Sequence, residues 1–82
     1  MTNNPTESRR FRAREVMNWL KYKLGEPQKA IASRMGYSPA FVASVLNGKV
    51  PLSDKFIRNL CSVHQSLNVE WVMTGECEML KM

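Results

Sequence analysis

Apolar residues recur along this chain at the three- and four-residue spacing of helix faces. The first stripe predicts a helix that Gly25 ends, and it consists of Val16, Met17, Trp19, Leu20 and Leu24. A second stripe consists of Phe56, Ile57, Leu60 and Cys61. Strand-like alternation of apolar and polar residues does not compete anywhere. The pattern predicts an all-α protein with five helices over about 9–24, 27–35, 39–47, 54–64 and 69–74.

The segment QKAIASRMGYSPAFVASVLN, residues 28–47, predicts two short helices joined by a tight turn. Ala32 provides a small residue where the helices approach, and Gly36 suits the bend because glycine adopts a left-handed backbone at little cost. Ser38 is a favourable N-cap and Pro39 suits the first helical position. This combination is typical of a helix-turn-helix unit formed by the second and third helices.

Length and composition indicate one small globular domain. The chain has 82 residues, and we expect a flexible polar tail over 1–8 and a single helix-turn-helix domain over 9–82. No apolar run approaches the roughly 20 residues of a membrane span. The N-terminus lacks the apolar region of a signal peptide. We therefore expect a cytoplasmic protein that has no membrane partner.

Net charge is +5, and the basic excess lies before residue 35. This asymmetry favours a phosphate backbone as the partner, although charge alone also fits a solvated face. We expect the cluster Arg9–Arg14 to be a solvated face that aids electrostatic steering rather than a specific site.

Residues that commonly perform catalysis or bind metals are few and scattered. Cys61 is expected to be a buried thiol and Cys77 a more exposed one, and neither belongs to a CxxC pair or a zinc-ligand pattern. The only histidine, His64, is expected to end a helix. Because no nucleophile–base pair or paired-carboxylate site is evident, we expect neither an enzyme nor a bound cofactor.

The segment from Gln28 through Lys49 resembles the phage repressor and Cro type of helix-turn-helix domain, which has the lambda-repressor-like fold. The ending LNVEWVMTGECEM resembles the closing helix of many such domains. The resemblance implies that the helix starting at Ser38-Pro39 enters the major groove of DNA. It also implies backbone phosphate contacts at Gln28 and at Asn47-Gly48-Lys49.

Helix geometry turns Val42, Val45 and Leu46 inward and therefore projects the other residues of the third helix outward. The candidate DNA-binding residues are Gln28, Lys29, Ser38, Pro39, Ala40, Phe41, Ser44, Asn47 and Lys49. Within this set, the expected base-edge contacts are Pro39, Ala40, Phe41 and Ser44.

The expected base-edge residues lack the Gln, Arg and Asn side chains that pair bidentately with adenine or guanine. We therefore expect weak direct recognition of bases, mainly at thymine methyl groups, with DNA shape supplying more of the specificity. Three residues have plainer alternatives. For Phe41, a core position near the following loop is as well supported as a contact with DNA. Ser38 could serve only as a helix cap. For Lys49, a solvated loop position is less well supported than a phosphate contact.

The sequence favours a transcriptional regulator, of the repressor kind, that binds double-stranded DNA as a homodimer without an evident small-molecule ligand. The apolar C-terminal residues Met79 and Leu80 are expected in the core, with a dimer surface as the alternative. A different class of function is an antitoxin or adaptor-like protein-interaction module with weak or lost DNA binding. The apolar outer face of the third helix motivates this alternative.

Overall fold

Five α-helices and no β-strand make up residues 5–81, the part of the chain that the computed structural model describes. They are α1 (Pro5–Tyr22), α2 (Gln28–Met35), α3 (Pro39–Leu46), α4 (Asp54–Cys61) and α5 (Val69–Thr74). The predicted all-α class is therefore confirmed for these residues. Over the same range, no helix combines the length and the apolar character that crossing a membrane requires.

Helix α1 begins at Pro5, earlier than the expected start near Arg9. Proline is tolerated in the first turn of a helix because the amide hydrogen it lacks has no partner there. Of the expected flexible tail, residues 5–8 are helical, and residues 1–4 lie outside the described residues. The predicted end of α4 is also wrong, since the helix stops at Cys61 rather than near His64.

The hydrophobic core lies where all five helices meet. Helix α1 contacts each of the other four, and α5 packs against α1 and α4. The largest fully buried side chains are Val16, Leu20, Ile31, Val42, Val45, Phe56, Ile57, Leu60 and Val72. Burial of each such side chain stabilises the fold by about 1.5–3 kcal/mol. The apolar stripes that predict the helices thus form the core, with two differences: Trp19 is only partly buried, and Leu24 is 40% exposed because α1 ends at Tyr22 rather than near Leu24.

Side-chain caps fix the starts of three helices. The hydroxyl oxygens of Ser38 and Ser53 each accept a hydrogen bond from a backbone amide in the first turn, both at 3.1 Å. Asn68 Oδ1 accepts one from the amide of Glu70 at 3.1 Å. Each cap satisfies an amide that has no partner within its helix. The start of α3 at Ser38-Pro39 is therefore set locally, as the sequence predicts.

The C-terminal segment folds back onto the turn before α5. The amide of Asn68 donates to the carbonyl oxygen of Met79 at 2.9 Å, and the amide of Lys81 donates to that of Ser66 at 2.6 Å. Met79 and Leu80 are partly buried against the core. These two residues therefore lie at the edge of the core, and the alternative of a dimer surface stays a prediction.

The two cysteines and the histidine lie in three different environments. Cys61 is buried, and burial raises the pKa of its thiol to about 11, so the thiol stays protonated at neutral pH. Cys77 is exposed, as predicted. His64 lies after α4, where its Nδ1 accepts a hydrogen bond from the amide of Ser66 at 3.1 Å and its ring meets Trp19 edge-on at 5.3 Å. This imidazole is half-buried against its neighbours rather than presented to solvent.

Candidate functional site

The turn between α2 and α3 is fixed by backbone hydrogen bonds. Gly36 has a φ of +85°, which favours glycine, and its amide donates to the carbonyl oxygen of Ser33 at 3.1 Å. The amide of Tyr37 donates to that of Ala32 at 3.0 Å, which completes a Schellman-type helix end. Ala32 is fully buried. The small residue and the glycine therefore occupy the close contact and the bend that the sequence predicts.

A cluster of three aromatic rings packs against this turn. The ring centroid of Tyr37 lies 4.9 Å from that of Phe41 and 5.5 Å from that of Phe56. The Tyr37 hydroxyl accepts a hydrogen bond from Asn59 Nδ2 at 2.9 Å. Helix α4, which carries Phe56 and Asn59, thus sets the position of the turn and of the first residues of α3.

The outer face of α3 is open to solvent at its start. Ser38, Pro39 and Ala40 are exposed, and Ser44 is half-buried one turn further on. Val42, Val45 and Leu46 are buried on the opposite face, as predicted. The Ser38 oxygen that caps the helix still has its own hydroxyl hydrogen to donate to a ligand.

Phe41 is partly packed and partly exposed, while its predicted contact with DNA stays a prediction. Its ring contacts Tyr37 and lies 6.3 Å from the ring of Phe56, so one edge belongs to the aromatic cluster. The residue is nevertheless 38% exposed. A ligand that approaches the first turn of α3 would meet this remaining aromatic surface.

The turn after α3 presents Asn47 and Lys49. Asn47 is the C-cap residue, and both side chains are exposed. Gly48 has a φ of +86°, which lets the amide of Lys49 donate to the carbonyl oxygen of Ser44 at 2.9 Å. This second Schellman-type end holds Asn47 and Lys49 beside the outer face of α3.

Arg10 lies directly beneath that turn. It is only 9% exposed and its guanidinium pairs with Glu7. Its Nε has no hydrogen-bond partner within the described part of the chain. A Cβ atom at Gly48 would lie 3.2 Å from Arg10 Cζ, so the glycine allows a close approach as well as a left-handed backbone.

The variant Gly48→Ala is expected to lower the free energy of unfolding more than Gly25→Ala does. Both replace a glycine at positive φ, which costs about 1–2 kcal/mol, but a Cβ at Gly25 would meet nothing within 4 Å. Crowding of Arg10 should add about 1 kcal/mol at Gly48. Urea denaturation of the two variants measures the difference. Equal stabilities would mean that Arg10 moves aside freely.

Most of the cluster Arg9–Arg14 is not the solvated face that the sequence predicts. Arg9 Nε donates to the carbonyl oxygen of Met73 at 2.9 Å, and Arg12 Nε donates to that of Val72 at 2.9 Å. Carbonyl groups in the last turn of a helix lack partners within the helix, so these two arginines complete the end of α5. Burial lowers the pKa of Arg12. Arg14 is exposed and stays available at the surface.

A surface groove of about 290 Å³ lies between α1, the start of α2 and the end of α3. Gln28 and Asn47 both line it, so two predicted phosphate contacts from different helices meet at one place. The polar residues on its α1 side are Arg14, Asn18 and Lys21. Sequence reasoning missed these three residues as site candidates. Their i, i+4, i+7 spacing, which places polar side chains on one helix face, is a signal that would have found them.

The remaining candidates fall into two groups. Lys29 is exposed beside Gln28 but does not line the groove. Lys49 and the exposed start of α3 lie on the outer surface. We call the full set of predicted residues the α3 surface, although its first two members belong to α2. The set is Gln28, Lys29, Ser38, Pro39, Ala40, Phe41, Ser44, Asn47 and Lys49.

Among residues 5–81, no three His, Cys, Asp or Glu side chains are grouped so as to hold a metal ion.

No protein-family model, curated protein or solved structure matches this chain.

Proposed function

We propose that this protein binds double-stranded DNA and regulates transcription, as a repressor, through a helix-turn-helix unit formed by α2 and α3 in a lambda-repressor-like domain. The observation that carries the proposal is the solvent-exposed start of α3, together with Asn47 and Lys49 in the turn after the helix and Gln28 in the groove beside its end. An α-helix such as α3 is about 10–12 Å in diameter with its side chains. The major groove of DNA is about 12 Å wide and accepts an α-helix.

The chemistry of α3 supports shape-dependent readout more than base-specific readout. Ala40 and the exposed part of Phe41 suit contact with thymine methyl groups, and Ser44 suits either a donor or an acceptor on a base. None of these side chains makes a bidentate contact with a purine. Selectivity would then come mainly from the groove shape and deformability of the DNA.

A dimer is part of the proposal because one α3 surface makes few contacts. Two copies related by a twofold axis would place their α3 helices in successive major grooves, about 34–36 Å apart. The operator would then consist of two half-sites about one helical turn apart.

Lys49→Ala and Gln28→Ala are each expected to weaken duplex binding by about 5- to 10-fold for every DNA sequence, because each removes a phosphate contact. Fluorescence anisotropy with random-sequence and selected duplexes measures the affinities at several salt concentrations. Lys81→Ala is the matched control for Lys49→Ala, since it removes an exposed lysine from the C-terminal segment. A loss confined to particular DNA sequences would contradict the phosphate assignment.

The second candidate is a protein-interaction module of the antitoxin or adaptor kind. The apolar character of the exposed Pro39, Ala40 and Phe41 favours it, because exposed apolar patches commonly bind proteins. The same anisotropy experiment separates the two functions. Absence of duplex binding by the unaltered protein at low salt would reject the regulator and leave the interaction module.

A further inference from the structure

The groove beside α3 is lined by two basic side chains of α1, Arg14 and Lys21. Among residues 5–81, neither Arg14 nor Lys21 forms an ion pair. In the same helix, Arg9 and Arg12 complete the end of α5 and Arg10 pairs with Glu7. The basic residues of α1 therefore divide into a structural group and a pair that faces the groove.

The rest of the groove suits an anion. Its described lining residues include no carboxylate, and the amide groups of Asn18, Gln28 and Asn47 supply neutral hydrogen-bond donors. Arginine and lysine are the side chains that most often neutralise phosphate groups, arginine through two parallel hydrogen bonds. Lys21 Nζ also lies 5.4 Å from the ring centroid of the exposed Tyr22, a weak cation–π contact.

We propose that this groove is a phosphodiester-binding subsite in which Arg14 and Lys21 of α1 grip the DNA backbone next to the strand contacted by Gln28 and Asn47. The inference rests on the proposed function and adds a third helix to the DNA-binding surface. A phosphate seated there would meet cations from α1 together with amides from α2 and from the turn after α3. The subsite would fix the position of α3 in the major groove, because phosphate contacts determine the register of a protein on a duplex.

The test is the salt dependence of duplex binding by the double variant Arg14→Gln/Lys21→Gln. Removal of one phosphate contact should reduce the slope of log K against log salt by about 0.9. We expect a reduction of about one to two and an affinity decrease of at least about 10-fold that is similar for all sequences. The matched control is Arg58→Gln/Lys81→Gln, which removes the same charge from a groove formed by α4 and the C-terminal segment. The single variant Arg14→Gln, at an exposed position, keeps the test valid if the double variant folds poorly.

Two results would overturn the proposal while leaving the proposed function intact. One is an unchanged salt slope in the double variant when the unaltered protein binds duplex DNA. The other is binding of free pyrophosphate in the groove that duplex DNA does not displace, detected by titration of backbone amide resonances and abolished in the double variant, because the ligand would then be a free anion rather than a DNA phosphate. Failure of the unaltered protein to bind any duplex would instead reject the proposed function itself.

Discussion

Replacing Ala40 with glutamate is expected to weaken binding to duplex DNA by about 100-fold or more while leaving the fold intact. Ala40 is exposed in the first turn of α3, so in the proposed complex the new carboxylate would point toward the phosphates of the major groove. Like charges brought together at an interface cost several kcal/mol, and each 1.4 kcal/mol corresponds to about a tenfold change in affinity. A carboxylate in the first turn of a helix interacts favourably with the helix dipole, so stability should not fall.

The control for this variant is Gln65→Glu, which adds the same charge at an exposed position in the turn after α4. Anisotropy titration gives the affinities, and thermal unfolding monitored by circular dichroism gives the stabilities. Equal affinities for the two variants, with both folded, would show that α3 does not face DNA.

Truncating Phe56 to alanine is expected to lower the free energy of unfolding by about 3–5 kcal/mol. Phe56 is 1% exposed, and its ring stacks against the ring of Tyr37. Tyr37 lies in the turn between α2 and α3, so Phe56 supports that turn. Small proteins are stable by only about 5–15 kcal/mol in total, so this decrease should leave a substantial unfolded fraction near physiological temperature. Urea denaturation measures the change.

The comparison variant Phe41→Ala removes a ring of the same size from the exposed edge of the same cluster. Because Phe41 is 38% exposed, its truncation should cost about 1–2 kcal/mol, clearly less than that of Phe56. Among folded molecules, Phe41→Ala should weaken DNA binding more than Phe56→Ala does, since Phe41 belongs to the α3 surface. Similar stabilities for the two variants would place Phe56 outside the core.

Different faces of helix α1 have different contacts, and under the proposed function this division separates structural from DNA-binding residues. One face, with Val16 and Leu20, is fully buried in the core. Arg9 and Arg12 hold the end of α5. Arg14 and Lys21 line the groove next to α3. Removal of a single arginine can therefore affect stability or ligand binding according to its place on the helix, although the four arginines are almost adjacent in the sequence.

Much of the fold follows from local sequence. The starts of α3 and α4 are predictable because Ser38 and Ser53 accept hydrogen bonds from amides only three residues away. The end of α2 is predictable because Gly36 meets a backbone requirement that few other residues meet. The early start of α1 is different. Its first turn has polar residues that resemble a tail, and no apolar spacing marks them.

The sequence alone determined the all-α class, the caps and turns that delimit α2 and α3, and the inward face of α3, because hydrogen bonds and apolar periodicity over a few residues specify them. Only the tertiary structure decided which arginines are available to a ligand, since Arg9 and Arg12 donate to carbonyl groups 60 or more residues further along the chain. It likewise decided that Arg14, Gln28 and Asn47 share one groove, because the packing of α1 against α2 and α3 brings them together.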